Sequence, residues 1–253
     1  MDFTKLSKPI QVSVTPQCGE GPALSIQSFS MAGLNTRLVS NATKLGYLVP
    51  TPVQMYSIPI ILAGRDLMAA SQCRSGKLGA FLLPILHRIL TTATCHLPPG
   101  YSPECVILTD TQQLVNKVFL EATKLAIGTS IKCLKSGRKK DQVLGRELEE
   151  GCNLLVTTPG NLTFLTKKNL LTLASCKFLV VYEPAMSHST SEMTLMEKVL
   201  LILKDTKMLN KTSTDDFQTL IFSGDDLPDD VQEMAQELLH DYLFLVAERV
   251  NTT

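Results

Sequence analysis

The chain of 253 residues predicts an α/β fold: a doubly wound, parallel sheet with helices on both faces. Three observations carry this. Mostly apolar runs of four or five residues recur, as in strands buried on both faces of a parallel sheet: Asp66-Leu67-Met68-Ala69-Ala70, Cys105-Val106-Ile107-Leu108, Asn153-Leu154-Leu155-Val156, Lys177-Phe178-Leu179-Val180-Val181 and Thr219-Leu220-Ile221-Phe222. Helix-length amphipathic stretches separate them, which is the strand-helix alternation of such sheets. An early strand runs straight into the stretch SQCRSGKL at 71–78 and then a helical pattern, the arrangement in which a helix N-terminus meets phosphate.

Taken in order, residues 1–28 read as an N-terminal extension punctuated by Pro and Gly, with Val12-Ser13-Val14 alternating like an edge strand. From Ser30 the spacing of Leu34, Leu38, Ala42 and Leu45 predicts a helix ending at Gly46. Pro50-Thr51-Pro52 opens a second helix over 53–62, with proline in its first turn. The strand over 66–70, the loop and a helix over 77–90 follow. Residues 91–103, rich in Thr and Pro, form a linker. Further strands are expected at 105–108, 153–156, 177–181 and 219–222. Helices are expected at 112–126, 142–150, 160–168, 195–205 and 229–240. The polar stretch 206–216 reads as a loop.

Composition limits the function classes. Lys and Arg total 24 and so do Asp and Glu, so bulk charge gives no support for strong nucleic-acid binding. A local basic stretch at 132–140 reads as a solvated loop. The seven cysteines are scattered without a CxxC pair or a histidine at ligand spacing. They predict no metal site and suit a reducing, cytoplasmic setting. The start of the chain lacks a signal-peptide pattern, and no apolar run approaches the roughly 18 residues of a membrane span.

The loop at 71–78 carries Gln72, Ser75, Gly76 and Lys77. A phosphate-binding loop needs small residues whose N–H groups curl round the oxygens, a lysine for the outer phosphates, and a Ser or Thr hydroxyl for Mg²⁺. The lysine is present. Arg74 stands where the GxGK[ST] pattern has its first glycine, and Leu78 stands at the hydroxyl position. Leucine has no oxygen for a hard cation. The loop therefore reads as able to meet a phosphate and as a poor Mg²⁺–nucleotide site. In open α/β sheets ligands gather beyond the carboxyl ends of the strands. The other candidate segments are then 109–111, 157–160, 182–185 and 223–225.

These segments, in this order and spacing, resemble the first RecA-like domain of the DEAD-box RNA helicases, closest to the Vasa branch, collinearly from about residue 9 to 247. The resemblance implies a P-loop NTPase-type domain over 29–247, without the family's second RecA-like domain, which supplies an arginine finger. It places Phe29, Tyr47, Thr51 and Gln54 at the adenine: Gln54 reads both hydrogen-bonding edges of the base and Phe29 stacks on it, an amide being both donor and acceptor. Gln72, Arg74, Ser75, Gly76, Lys77 and Leu78 fall at the phosphates. Arg74 is open to a second role, a guanidinium in place of Mg²⁺. The DEAD tetrapeptide is Tyr182-Glu183-Pro184-Ala185, so the metal-positioning Asp is Tyr182, while Glu183 keeps the residue that polarises water. The SAT motif is Ser223-Gly224-Asp225. The RNA-facing motifs supply Thr111, Gln112, Gly137, Arg138, Thr158, Pro159 and Gly160, with family arginines replaced by Gln112 and Asn161.

Three functional expectations remain. The first is a non-catalytic RNA- or protein-binding module with weak ATP binding, no Mg²⁺ and no turnover. The second is an ATP-dependent RNA helicase domain working with a second domain in trans. The third is a Mg²⁺-independent adenine nucleotide sensor.

Overall fold

The computed structural model describes residues 10–16, 25–71, 75–92, 102–137, 141–183, 194–205, 217–224 and 229–249. Eight strands form one sheet: β1 (Ile10–Pro16), β2 (Leu67–Ser71), β3 (Cys105–Leu108), β4 (Cys133–Lys135), β5 (Leu154–Thr157), β6 (Phe178–Tyr182), β7 (Gln218–Ser223) and β8 (Leu243–Arg249). Their order is β1-β8-β2-β7-β6-β3-β5-β4. All neighbours are parallel except β1, which lies antiparallel on β8 with Ile10 opposite Arg249.

Among the described residues eight helices pack on the sheet: α1 (Thr36–Lys44), α2 (Pro52–Leu62), α3 (Lys77–Thr92), α4 (Gln112–Leu125), α5 (Asp141–Glu149), α6 (Pro159–Lys167), α7 (Leu195–Asp205) and α8 (Asp229–Leu238). The first four share one apolar layer and the last four the other, so the chain changes face between β4 and β5. Strand side chains alternate between the two layers, as a pleat requires. Leu67 and Ala69 face α1–α4 while Met68 faces α5–α8, and Phe178, Val180 and Tyr182 oppose Leu179 and Val181. Burial of strands on both faces is why they read as continuous apolar runs.

The expected strands and helices fall within a residue or two of the observed ones except at the first helix. Expected from Ser30, α1 begins at Thr36, because Phe29–Ala32 form a separate 3-10 turn ending at Gly33 with φ +64° and the Asn35 side chain caps α1 by accepting from the Arg37 N–H. Two strands were not expected. β4 lies inside the stretch 132–140 that reads as a basic loop. Only Leu134 of its three residues is buried, so no apolar run marks it. β8 follows α8 directly and is held by β2 and β1 on either side. Below β2, Asp66 is buried and ties the sheet's amino edge. Its two carboxylate oxygens accept from the Thr219 and His240 N–H groups, both at 2.8 Å.

Candidate nucleotide and RNA-facing sites

The carboxyl ends of β2, β6 and β7 meet the first turn of α3. Lys77 opens that helix and is only 3% exposed. Its ammonium donates to the Ser71 carbonyl (2.6 Å) at the end of β2 and the Ser223 carbonyl (3.0 Å) at the end of β7. It also pairs with Glu183 Oε1 at 2.9 Å. An ammonium has three donors, and the Ser71 and Ser223 carbonyls and the Glu183 carboxylate are among the acceptors that this one meets. Glu183 sits one residue past β6 with φ of +51°, a left-handed conformation that costs a non-glycine residue roughly 1–2 kcal/mol. Its own N–H donates to the Phe222 carbonyl at 2.7 Å. The hydroxyls of Ser71 and Ser75 lie 2.7 Å apart.

Beside the loop, Gln54 in the first turn of α2 is fully buried. Its Oε1 accepts from the Thr51 N–H and its Nε2 donates to the Gly76 carbonyl, both at 2.9 Å. Both ends of the amide are thus engaged by the protein. Glycine is required at 76, where φ is +91° and a Cβ would lie 2.7 Å from Gln54 Nε2 and 2.8 Å from Thr51 Oγ1. Thr51 Oγ1 is buried with no hydrogen-bond partner among the described residues. Phe29 packs edge-on against Tyr47, ring centres 6.5 Å apart. The Tyr47 phenol donates to Glu121 Oε1 at 2.7 Å, and burial together with that carboxylate pushes its pKa well up, so it stays a donor.

Tyr182 turns inward. It is 2% exposed, its ring packs on Phe81 at 5.7 Å, and the Lys117 ammonium lies 6.0 Å from its centre. Phe81 in turn packs on Phe222 at 5.1 Å. Leu78 packs against the same apolar layer. The two positions where the resemblance puts Mg²⁺ ligands therefore supply an aromatic ring and an alkyl chain to the core. Gln72 and Arg74 lie outside the described residues.

A second polar cluster occupies the same edge over β3, β4 and β5. Thr111 caps α4, accepting from the Leu114 N–H at 3.2 Å, and Thr158 caps α6, accepting from the Asn161 N–H at 3.4 Å. Pro159 starts α6, and Gly160 is exposed with open space around it. Gln112 Nε2 donates to the Ser136 carbonyl at 3.1 Å and lies against Gly137, where a Cβ would sit 3.1 Å from it. Asn161 Nδ2 donates to Ser136 Oγ at 3.2 Å, and Ser136 Oγ bonds Thr157 Oγ1 at 2.5 Å. Both amides, which stand where the resemblance puts arginines, thus converge on Ser136. Sequence reasoning missed this serine, because nothing in the apolar pattern marks the residue after a three-residue strand. Its place next to Gly137 is the signal that was available. Lys135 is drawn away, onto Asn116 (2.6 Å) and the Phe119 ring (4.9 Å). Arg138 lies outside the described residues. Among the described residues no three His, Cys, Asp or Glu side chains are grouped to hold a metal.

Residues 51–224 match the DEAD/DEAH box helicase family. The chain is 38% identical over 232 residues to the probable ATP-dependent RNA helicase DDX4 of Macaca fascicularis, and 36% over 231 residues to that of Pelophylax lessonae. Each alignment covers 89% of this chain and 31% of the relative, so the chain spans about a third of their length. Its fold is that of the RNA helicase Prp28 from Chaetomium thermophilum, solved bound to ADP, with a TM-score of 0.72 at 24% identity, covering 96% of this chain and 55% of that one. The sheet order, the loop between β2 and α3 and these matches agree: the chain belongs to the DEAD/DEAH box helicase family, on its Vasa-like side.

Proposed function

We propose that this chain is a non-catalytic DEAD-box domain, a cytoplasmic RNA- or protein-binding module without ATP turnover. The burial of Tyr182 against Phe81 carries this reading. Phosphoryl transfer leans on a metal that neutralises the phosphates. The family's two metal-holding positions have no carboxylate or small hydroxyl here, and the aromatic substituent is locked into the core. Glu183 has no metal-bound phosphate to act on and is engaged by Lys77 instead. The free thiols of Cys105, Cys133, Cys152 and Cys176 support a reducing compartment, and burial pushes Cys133 and Cys152 up to about 12, which leaves them inert.

RNA contact in this reading is weak. Thr111, Thr158, Gly137 and Gly160 still offer backbone and hydroxyl groups at two helix starts, but the amides of Gln112 and Asn161 replace charge-assisted contacts. A second reading, a Mg²⁺-independent adenine nucleotide sensor, is favoured by one observation. Phe29, Tyr47, Gln54 and Lys77 converge on one edge with Thr51 Oγ1 unpartnered among the described residues.

Calorimetric titration with ATP, with and without Mg²⁺, tests these readings beside an RNA-stimulated phosphate-release assay. The module predicts no turnover and at most millimolar binding, about −4 kcal/mol. Micromolar binding independent of Mg²⁺ supports the sensor. Mg²⁺-dependent turnover refutes both and points to a helicase domain completed in trans.

A further inference from the structure

We propose that the seam between α1 and α4 is a docking surface for an acidic, amphipathic helix of a partner protein. The proposal rests on the protein-binding arm of the reading above and names the surface and the chemistry of that partner.

Three contacts set α1 antiparallel along α4. At one end Arg37 lies against Gly128, where a Cβ would come within 3.7 Å of its side chain. Midway, the Asn41 amide nitrogen donates to the Leu125 and Ile127 carbonyls, both at 2.8 Å. At the other end the Tyr47 phenol, just beyond α1, donates to Glu121. Residues three or four apart share one face of a helix. Arg37, Asn41 and Lys44 therefore form one stripe of α1, and Leu120, Lys124 and Ile127 form the facing stripe of α4. The same register brings Lys44 level with Lys124. Leu120 and Ile127 are 54% and 62% exposed, and Leu48, beyond Tyr47, is 72% exposed. Grouped apolar side chains with a polar rim mark interaction sites, and the rim here is cationic.

Charge selects the partner. The chain as a whole carries as many acids as bases, yet residues 28–51 and 112–131 hold Arg37, Lys44, Lys117 and Lys124 against a single acid, Glu121. That acid is engaged by Tyr47, and Lys117 is drawn over the Tyr182 ring. Among the described residues Arg37, Lys44 and Lys124 form no ion pair. Carboxylates on a partner helix would neutralise these three cations, and its apolar face would cover Leu120 and Ile127, the helix-in-groove mode of recognition. Each stripe is two turns long, about 11 Å at 1.5 Å per residue, so a partner helix of about three turns spans it. RNA fits this surface less well. Single strands are held by aromatic rings on which bases stack, whereas Leu48, Leu120 and Ile127 are aliphatic. The seam also runs away from the RNA-facing edge, because Leu120 and Ile127 lie about 14 and 24 Å along α4 from Thr111.

The test is fluorescence anisotropy, titrating the full chain into a labelled synthetic helical peptide that carries a leucine stripe flanked by glutamates. The variants are Lys44→Glu/Lys124→Glu and Leu120→Ser/Ile127→Ser. None of these four side chains is buried, and thermal unfolding followed by circular dichroism checks that both variants fold like the wild type. The wild type is expected to bind with a Kd on the order of 10 μM, weakening as salt rises because the charges lie at the surface. The charge variant is expected to lose about tenfold or more and to bind instead the same peptide with lysines in place of the glutamates. The serine variant is expected to lose about fivefold or more, since its contribution is apolar burial. Absence of saturable binding up to about 1 mM, or affinity within about twofold of wild type in either variant, would overturn the proposal. A labelled oligouridine that binds the wild type and is lost in the charge variant, with the acidic peptide inert, would overturn it too and assign the face to nucleic acid. ATP hydrolysis by the wild type, measured on the same preparations, would end the non-catalytic reading alone, because neither variant touches the nucleotide loop.

Discussion

Replacing Tyr182 by Asp returns the acidic residue of the family's tetrapeptide, and the structure predicts damage instead of repair. The Tyr182 ring is 2% exposed and packs on Phe81, which also holds Phe222. Losing a core aromatic of this size costs about 3–5 kcal/mol. The new carboxylate would enter the apolar layer beside Phe81, where Lys77 is already engaged by Glu183 and the Lys117 ammonium lies 6.0 Å from the ring centre without a direct pairing, so burying the charge adds several kcal/mol or forces it to protonate. Against a typical domain stability of about 5–15 kcal/mol, Tyr182→Asp should leave the chain marginal. The assay is urea unfolding followed by circular dichroism, with Tyr182→Phe as the control. That control removes only the hydroxyl and should cost about 1 kcal/mol or less. Adding Leu78→Thr restores both family residues, and the double variant is expected to be no more stable than Tyr182→Asp alone. A Tyr182→Asp midpoint equal to wild type, accompanied by Mg²⁺-dependent ATP hydrolysis, would refute the reasoning, because it would mean that the ring is not part of the core.

Three further outcomes are expected. Burial raises the Asp66 carboxyl from 3.8 to about 6, against the opposing backbone donors of His240 and Thr219. A raised acid binds its proton more tightly in the folded state, so its stabilising contribution is present below pH 3.8 and is lost as pH rises through 6. Wild type should therefore lose about 2 kcal/mol between pH 4 and 7 relative to Asp66→Asn, read from urea midpoints at the two pH values. Gly76→Ala forces a Cβ into φ +91° and within 2.8 Å of both Gln54 and Thr51. It should cost about 1–3 kcal/mol in the same unfolding assay, and a neutral result would show that the loop relaxes freely. Ser136→Ala removes the hydroxyl shared by Thr157 and Asn161. About 1–3 kcal/mol should be lost, with the Asn161 side-chain NMR signals shifting, whereas a distant control such as Thr123→Ala leaves those signals in place.

Much of the fold is legible in the sequence because its signals are local. Strands β2, β3, β5, β6 and β7 show themselves as apolar runs, since each is covered by helices on both faces. The start of α2 shows in Pro50-Thr51-Pro52, and the order of the motifs fixes the family. Strand β4 escapes because a three-residue edge strand with one buried side chain carries no apolar run, whereas β8 does carry one, Leu243-Phe244-Leu245-Val246-Ala247, which sequence reasoning missed beside the helix expected to reach 240. The site divides in the same way. The sequence alone determines that Lys77 follows a phosphate-type loop and that Leu78 and Tyr182 stand where the resemblance puts metal ligands. Only the tertiary structure decides what takes their place. The bond from Lys77 to Ser223 spans 146 residues, the inward turn of Tyr182 depends on Phe81 one helix away, and Ser136 gathers Gln112 and Asn161 from two other elements. Those partners are set by strand order and register, which bring distant residues to one edge of the sheet, and no period within a single element encodes them.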